Sequence, residues 1–315
     1  MTLDLDYRRK ASTDAAPARP QFSFWTHFPG IDLDAEDLAE ATVALQRDYD
    51  LDFVKTAPNG MYAVEDYGLR LDFSDVANGG VARVVSTPFE TVADWDLLPD
   101  LDISCGALAR EIASLRHIRT ALPDVPIVFT VFSPMTIAAK LSRGRIHAQI
   151  AEGSDAARIH AALGKIAHLV SDYSAAAIEA GADGVFFAHQ DTGRHLLSHD
   201  DFSAFVAPYD FEALVGAYRG RFNILHLHGD NVRFREVLDY PLHAMNWHSN
   251  ETLPSISAGM IASRKAIVGG IDRRSVTAND IDAIEEQIFS AFDATRGMND
   301  IVFSPSCTIR AGFRP

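Results

Sequence analysis

The sequence predicts a single (β/α)8 TIM barrel. Eight short apolar runs alternate with stretches of helical periodicity along the chain. The runs are apolar throughout rather than alternately polar, as strands of a parallel sheet covered on both faces are. The length, 315 residues, suits one such barrel. A doubly wound sheet is the alternative. It has little support, because no Gly-rich phosphate-binding turn follows the first predicted strand.

Residues 1–20 carry Asp4, Asp6, Arg8, Arg9 and Lys10, then an Ala/Pro-rich stretch. With no apolar segment, they read as a flexible arm and not as a signal peptide. The barrel domain covers residues 21–315. Residues 21–27 form its first strand, 34–49 an amphipathic helix and 52–56 a second strand. Pro58-Asn59-Gly60 makes a turn. Residues 61–73 and 81–86 read as strand pieces of an excursion from the barrel. Residues 105–122 form a helix, 126–132 an apolar strand and 134–141 the start of a helix. One long helix, 154–180, is ended by Gly181. Strand 184–188, helix 198–218 and strand 222–228 follow, then a helix near 232–238 and a strand at 243–247. Strand 266–270, helix 280–296 and strand 301–304 complete the pattern.

Composition narrows the function. A net charge of −15 argues against nucleic acid and anionic membranes as partners. The two cysteines, Cys105 and Cys307, are too few for a disulfide framework and fit a reducing, cytoplasmic setting. No apolar run reaches the length of a transmembrane helix.

Barrel active sites lie at the C-terminal ends of the strands. In order, those ends carry His27; Lys55 and Asn59; Ser133; His189, Gln190 and Asp191; His226 and His228; Trp247 and His248; Asp272; and Cys307. Five of the twelve histidines therefore fall at one predicted mouth. Side chains two apart on a strand project to the same side. His226 and His228 can thus grip one metal ion, and Cys307 on another strand end makes a His2Cys zinc set with an open fourth position. Two hydrogen-bonded histidines and a buried free cysteine are the plainer alternative. His27, His189, Gln190 and His248 are candidate catalytic groups, and Lys55, Asn59 and Trp247 candidate substrate contacts. Each also has an ordinary structural role open to it, such as a core residue, a salt bridge or a turn. Glu65 could orient an imidazole. Asp230 is expected to cap the helix near 232–238.

At these positions the chain resembles the uroporphyrinogen decarboxylase superfamily, and within it the zinc-dependent methyltransferases that act with corrinoid proteins. The resemblance runs over nearly the whole chain from about Pro20. It is carried by Asp52-Phe53-Val54-Lys55, Pro58-Asn59-Gly60-Met61-Tyr62 and Glu65-Asp66-Tyr67-Gly68. Residues 126–136, Ala180-Gly181-Ala182-Asp183-Gly184, and Asp201-Phe202 with Phe205 and Pro208-Tyr209 extend it. Those methyltransferases bind zinc with a His-x-Cys pair after the fifth strand and a Cys after the eighth. The matching positions here are His226, His228 and Cys307, so the middle ligand is His rather than Cys. The resemblance implies a zinc-dependent methyltransferase or demethylase. It would act on a small molecule, with a thiol or a corrinoid protein as the other party. The 315 residues contain no Asp-x-His-x-x-Gly segment of the kind that holds cobalamin, so the corrinoid would come from a partner. A lyase acting on a carboxylated substrate is the alternative. Residues 21–29 contain His27 but no Arg or Lys, unlike the Arg-rich stretch of the decarboxylases. A homodimer is compatible with the resemblance.

Overall fold

The computed structural model describes residues 20–76, 82–295 and 301–309. The strands are β1 (Val54–Lys55), β2 (Arg70–Asp72), β3 (Arg83–Ser86), β4 (Ile127–Phe132), β5 (Gly184–His189), β6 (Ile224–Leu227), β7 (Ala244–Trp247), β8 (Ala266–Ile271) and β9 (Ile301–Pro305). Seven of them form one parallel sheet in the order β1-β4-β5-β6-β7-β8-β9. The opening segment, residues 21–27, closes it. Phe22 and Thr26 bridge Phe303 and Ile309 on one side. On the other, Asp52 N donates to Phe22 O at 3.0 Å and Ser23 Oγ to Phe53 O at 2.7 Å. The eight-stranded parallel barrel is therefore complete, with the predicted first strand present as isolated bridges rather than a continuous ladder.

The helices are α1 (Ala35–Tyr49), α2 (Gly106–Ala121), α3 (Pro134–Ser142), α4 (Arg145–Ala151), α5 (Ala156–Glu179), α6 (His199–Phe205), α7 (Ala207–Val215), α8 (Ile256–Ser263), α9 (Arg273–Ala278) and α10 (Ile281–Ala294). Asp34 starts α1 by accepting from the backbone N–H groups of Glu36 and Asp37. Burial on both faces explains the unbroken apolar strands: every residue of β4, β5, β6, β7 and β9 is buried. Arg119 and Asp183 lock the end opposite the mouth. Arg119 Nη2 lies 2.6 Å from Asp183 Oδ2, which also accepts from Ile127 N at 2.8 Å.

Several elements differ from the sequence expectation. Residues 62–67 form a 3-10 helix rather than strand, while β2 and β3 pair as an antiparallel hairpin outside the barrel. The single helix expected at 198–218 is two. Val206, at φ −119° and ψ −64°, breaks it, and Pro208 lies in the first turn of α7. No helix forms near 232–238. There Arg233 N donates to Thr192 O and Val232 bridges Gly193, so these backbone groups go to the neighbouring loop. Asp230 accordingly caps nothing. α4, α8 and α9 were not anticipated. The predicted arm lies outside the described residues except for Pro20. Among the described residues, no helix is long and apolar enough to cross a membrane.

Candidate metal centre

Strand parity builds the site. On β6, Ile224 and His226 face the barrel interior. His226 stacks on Phe186 of β5, with ring centroids 5.1 Å apart. His228 lies one residue beyond β6 and keeps that parity. The ladder pairs His226 with Asn246 of β7, so Asn246, and His248 two residues on, share the interior side. Cys307 follows β9, two strands away. The ligand atoms of His226, His228, His248 and Cys307 all lie within 4.8 Å of one another. Cys307 Sγ is 3.9 Å from His226 Nε2 and 3.6 Å from His228 Nδ1.

These spacings fit a tetrahedral ion. Zn–N bonds of about 2.0–2.1 Å and a Zn–S bond of about 2.3 Å put N and S about 3.5 Å apart. The tautomer fits as well. Asn246 Nδ2 donates to Val268 O at 2.7 Å, which turns Asn246 Oδ1 toward His226 Nδ1. Nδ1 must then carry the proton, and Nε2 presents its lone pair toward Cys307. The His248 Nε2 atom is buried without a hydrogen-bond partner, while its Nδ1 lies 3.7 Å from Glu251 Oε1. Arg273 holds Glu251 at 3.0 Å.

Electrostatics keep the imidazoles neutral, the form that binds metal. Burial, then the neighbouring His228 and His248, hold His226 well below the ordinary histidine value. Burial, then Arg273, lowers His228. Burial, then His228, takes His248 down to about 4. Burial pushes the Cys307 thiol up, against the pull of Arg273 and Lys55. These four residues could hold a metal ion.

The other predicted residues divide. Lys55 ends β1 inside the barrel, with Nζ 4.7 Å from the Phe186 ring centroid and 5.5 Å from that of Trp25. His27 lies close by, pushed down to about 4 by burial and by Lys55, with Nδ1 buried and unpartnered. Asp191 is 3.2 Å from His147 Nε2. Gln190 donates its backbone N–H to Thr136 Oγ1 at 2.9 Å. Three candidates are not brought to the cluster. His189 is fully buried toward the helices, 3.2 Å from Asp210 Oδ2. Trp247 is buried on Phe234, and its indole N–H donates to Pro254 O. Asn59 spends both ends of its amide locally: Nδ2 donates to Glu65 and Oδ1 accepts from Met61 N. Glu65 binds Arg110 rather than an imidazole. Ser133 caps α3 and Asp272 caps α9.

From sequence His248 reads as a catalytic group with a ligand role open to it; the structure places it with His226, His228 and Cys307. Sequence reasoning missed Asn246, Glu251, Arg273 and His147. Only the β6–β7 register places Asn246 opposite His226.

Fold and site define an α/β barrel enzyme with a candidate metal centre at its mouth. The chain belongs to the uroporphyrinogen decarboxylase (URO-D) family, whose sequence pattern matches residues 10–315. Among solved structures it is similar to a methyltransferase from Methanosarcina mazei. The TM-score is 0.81 at 19% identity, over 99% of this chain and 95% of that one. It is more distantly similar to a B12-independent methionine synthase from Shewanella sp. W3-18-1. There the TM-score is 0.55 at 11% identity, over 87% of this chain and 81% of that one. A putative B12-independent methionine synthase from Listeria monocytogenes gives the same TM-score, 0.55, at 13% identity, over 87% of this chain and 80% of that one. At these identities the likeness is one of fold. No curated protein matches the chain.

Proposed function

We propose that this protein is a zinc-dependent methyltransferase or demethylase. It would move a methyl group between a small substrate and a thiol or a corrinoid carried by a partner protein. The observation that carries this reading is the convergence of His226, His228, His248 and Cys307 on one point. Zinc there would supply Lewis acidity, lowering the pKa of an entering thiol or easing departure of a heteroatom. The chain's own residues do the rest. His226, His228 and Cys307 hold the ion, and Asn246 fixes the His226 tautomer. His248, backed by Glu251 and Arg273, offers a fourth donor at the position a substrate must take. Phe186 packs beside His226 and Trp25 beside Phe186, with Lys55 over both rings and His27 close by. Family membership and the fold of the Methanosarcina methyltransferase agree with this reading.

Metal analysis and a methylcobalamin assay test it. Zinc-loaded protein should convert methylcobalamin and a thiol to a thioether and Co(I) cobalamin, and chelation should abolish this. Absence of zinc, or rates equal to the uncatalysed control over panels of thiols and methylated donors, would overturn it.

A carboxy-lyase reading has one observation in its favour. Lys140 Nζ lies 4.9 Å over the Phe132 ring with no carboxylate at ion-pair distance among the described residues. That leaves an amine with which a substrate carboxylate could pair, but gives the His/Cys cluster no task.

A further inference from the structure

We propose that Lys55 is a catalytic residue of this site: its amine takes the proton that a thiol gives up as the sulfur enters the His/Cys cluster. The inference rests on the metal-thiol reading above and adds the proton acceptor that reading lacks.

Position comes first. Lys55 is the last residue of β1, at the end of the barrel where the cluster lies. Its side chain is buried, and Nζ lies over the Phe186 ring on which His226 stacks. The amine and His226 therefore pack against the same aromatic side chain. Nζ donates to Thr56 O at 3.0 Å. No carboxylate forms an ion pair with it among the described residues. The titratable groups that act on it or feel it are His27 from the opening segment, His226 of β6 and Cys307 after β9.

A lysine buried against two aromatic rings with no anion beside it is poorly placed to stay charged. Burial lowers its pKa to about 7, and the only charge that raises it is that of Cys307. A thiolate forming beside Cys307 would add to that pull. The amine is thus a base before the thiol ionises and a stable ammonium after it. Proton transfer and thiolate formation assist each other.

The histidines and the carboxylate nearest the cluster are less suitable acceptors. His27 and His248 are held down to about 4. Glu251 is bound by Arg273, and His147 faces Asp191. The step balances. The S–H bond breaks, an N–H bond forms on Nζ, the electron pair stays on sulfur, and nothing is oxidised or reduced.

The test uses the full chain loaded with Co(II) in place of zinc, and 2-mercaptoethanol as a neutral thiol. Thiol entry is read from the cobalt–thiolate charge-transfer band, and protons released to solvent from an indicator dye at pH 8. Wild-type protein should bind the thiol with little net proton release. Lys55→Met and Lys55→Arg should each release about one proton per thiol bound. Lys55→Arg puts a permanent cation there with no free base, so it should lose roughly 10²-fold in kcat. If wild type binds thiol and also releases that proton, or if Lys55→Arg behaves as wild type, Lys55 is not the acceptor. If no thiol enters the wild-type cobalt site, the metal-thiol reading falls first and this proposal with it. A measurement without variants guards against misfolding. The 13Cε resonance of Lys55 should titrate near neutrality, and titration at the ordinary value of about 10.4 would overturn the proposal.

Discussion

His226 and Asn246 are register partners on adjacent parallel strands, and the Asn246 carboxamide oxygen accepts a hydrogen bond from His226 Nδ1. Because Asn246 is itself fixed by Val268 O, this contact sets which nitrogen of His226 faces Cys307. On the proposed reading, Asn246 tunes metal binding without being a ligand.

Asn246→Leu should therefore weaken metal binding without removing a ligand. A buried imidazole N–H would lose its acceptor, at a cost of about 1–3 kcal/mol in stability. Loss of an outer-shell partner lowers metal affinity roughly 10–100-fold. Competition with a chromophoric chelator measures the second effect and chemical denaturation the first.

The ligands themselves should differ in weight. His226→Ala and Cys307→Ala should each abolish stoichiometric zinc in protein purified with zinc present. His248→Ala should retain it with lower affinity, since His226, His228 and Cys307 remain. Elemental analysis of the three variants checks this, and zinc unchanged in Cys307→Ala would remove that residue from the set.

Lys55 makes stability depend on pH. Its folded-state pKa, about 7, is below the ordinary lysine value of about 10.4. Between these values the unfolded chain binds the proton and the folded chain does not, so stability rises with pH. Below about pH 7 the full cost of the buried charge is present and the contribution is flat. The stability advantage of Lys55→Met over wild type should therefore shrink as pH rises from 7 toward 10. Parallel urea melts across that range give the difference directly, and a constant difference would contradict the shift.

Asp183 serves stability at the other end of the barrel. It accepts from Arg119 and from Ile127 N. Asp183→Ala should cost about 1–3 kcal/mol, because the partly buried Arg119 guanidinium and the buried Ile127 N–H both lose their carboxylate acceptor. Zinc content in the folded fraction should stay at the wild-type level, which separates this defect from one at the mouth.

Decarboxylation of uroporphyrinogen is expected to be absent. Residues 21–29 offer no Arg or Lys for its carboxylates, and a net charge of −15 adds long-range repulsion. Incubation with the tetrapyrrole and assay for coproporphyrinogen checks it. Robust turnover would favour the lyase reading.

The sequence by itself determined the barrel and the three residues His226, His228 and Cys307 as candidate ligands. Both follow from local rules. Continuous apolar runs between helical stretches specify a covered parallel sheet, and two-residue periodicity puts the two histidines on one side. Tertiary structure alone decided what those rules leave open. His189 and Trp247 also sit at strand ends, yet their parity turns them toward the helices, where His189 lies 3.2 Å from Asp210 and the Trp247 indole N–H donates to Pro254 O. Asn59 reads as a mouth residue, but its amide is consumed by Glu65 and Met61 N. The helix expected at 232–238 yields to the neighbouring loop, which takes the Arg233 N–H. Asn246 and the burial of Lys55 between Trp25 and Phe186 depend on which strands are neighbours and in what register. Local periodicity sets the side of a strand a residue occupies; only the closed barrel sets what stands across from it.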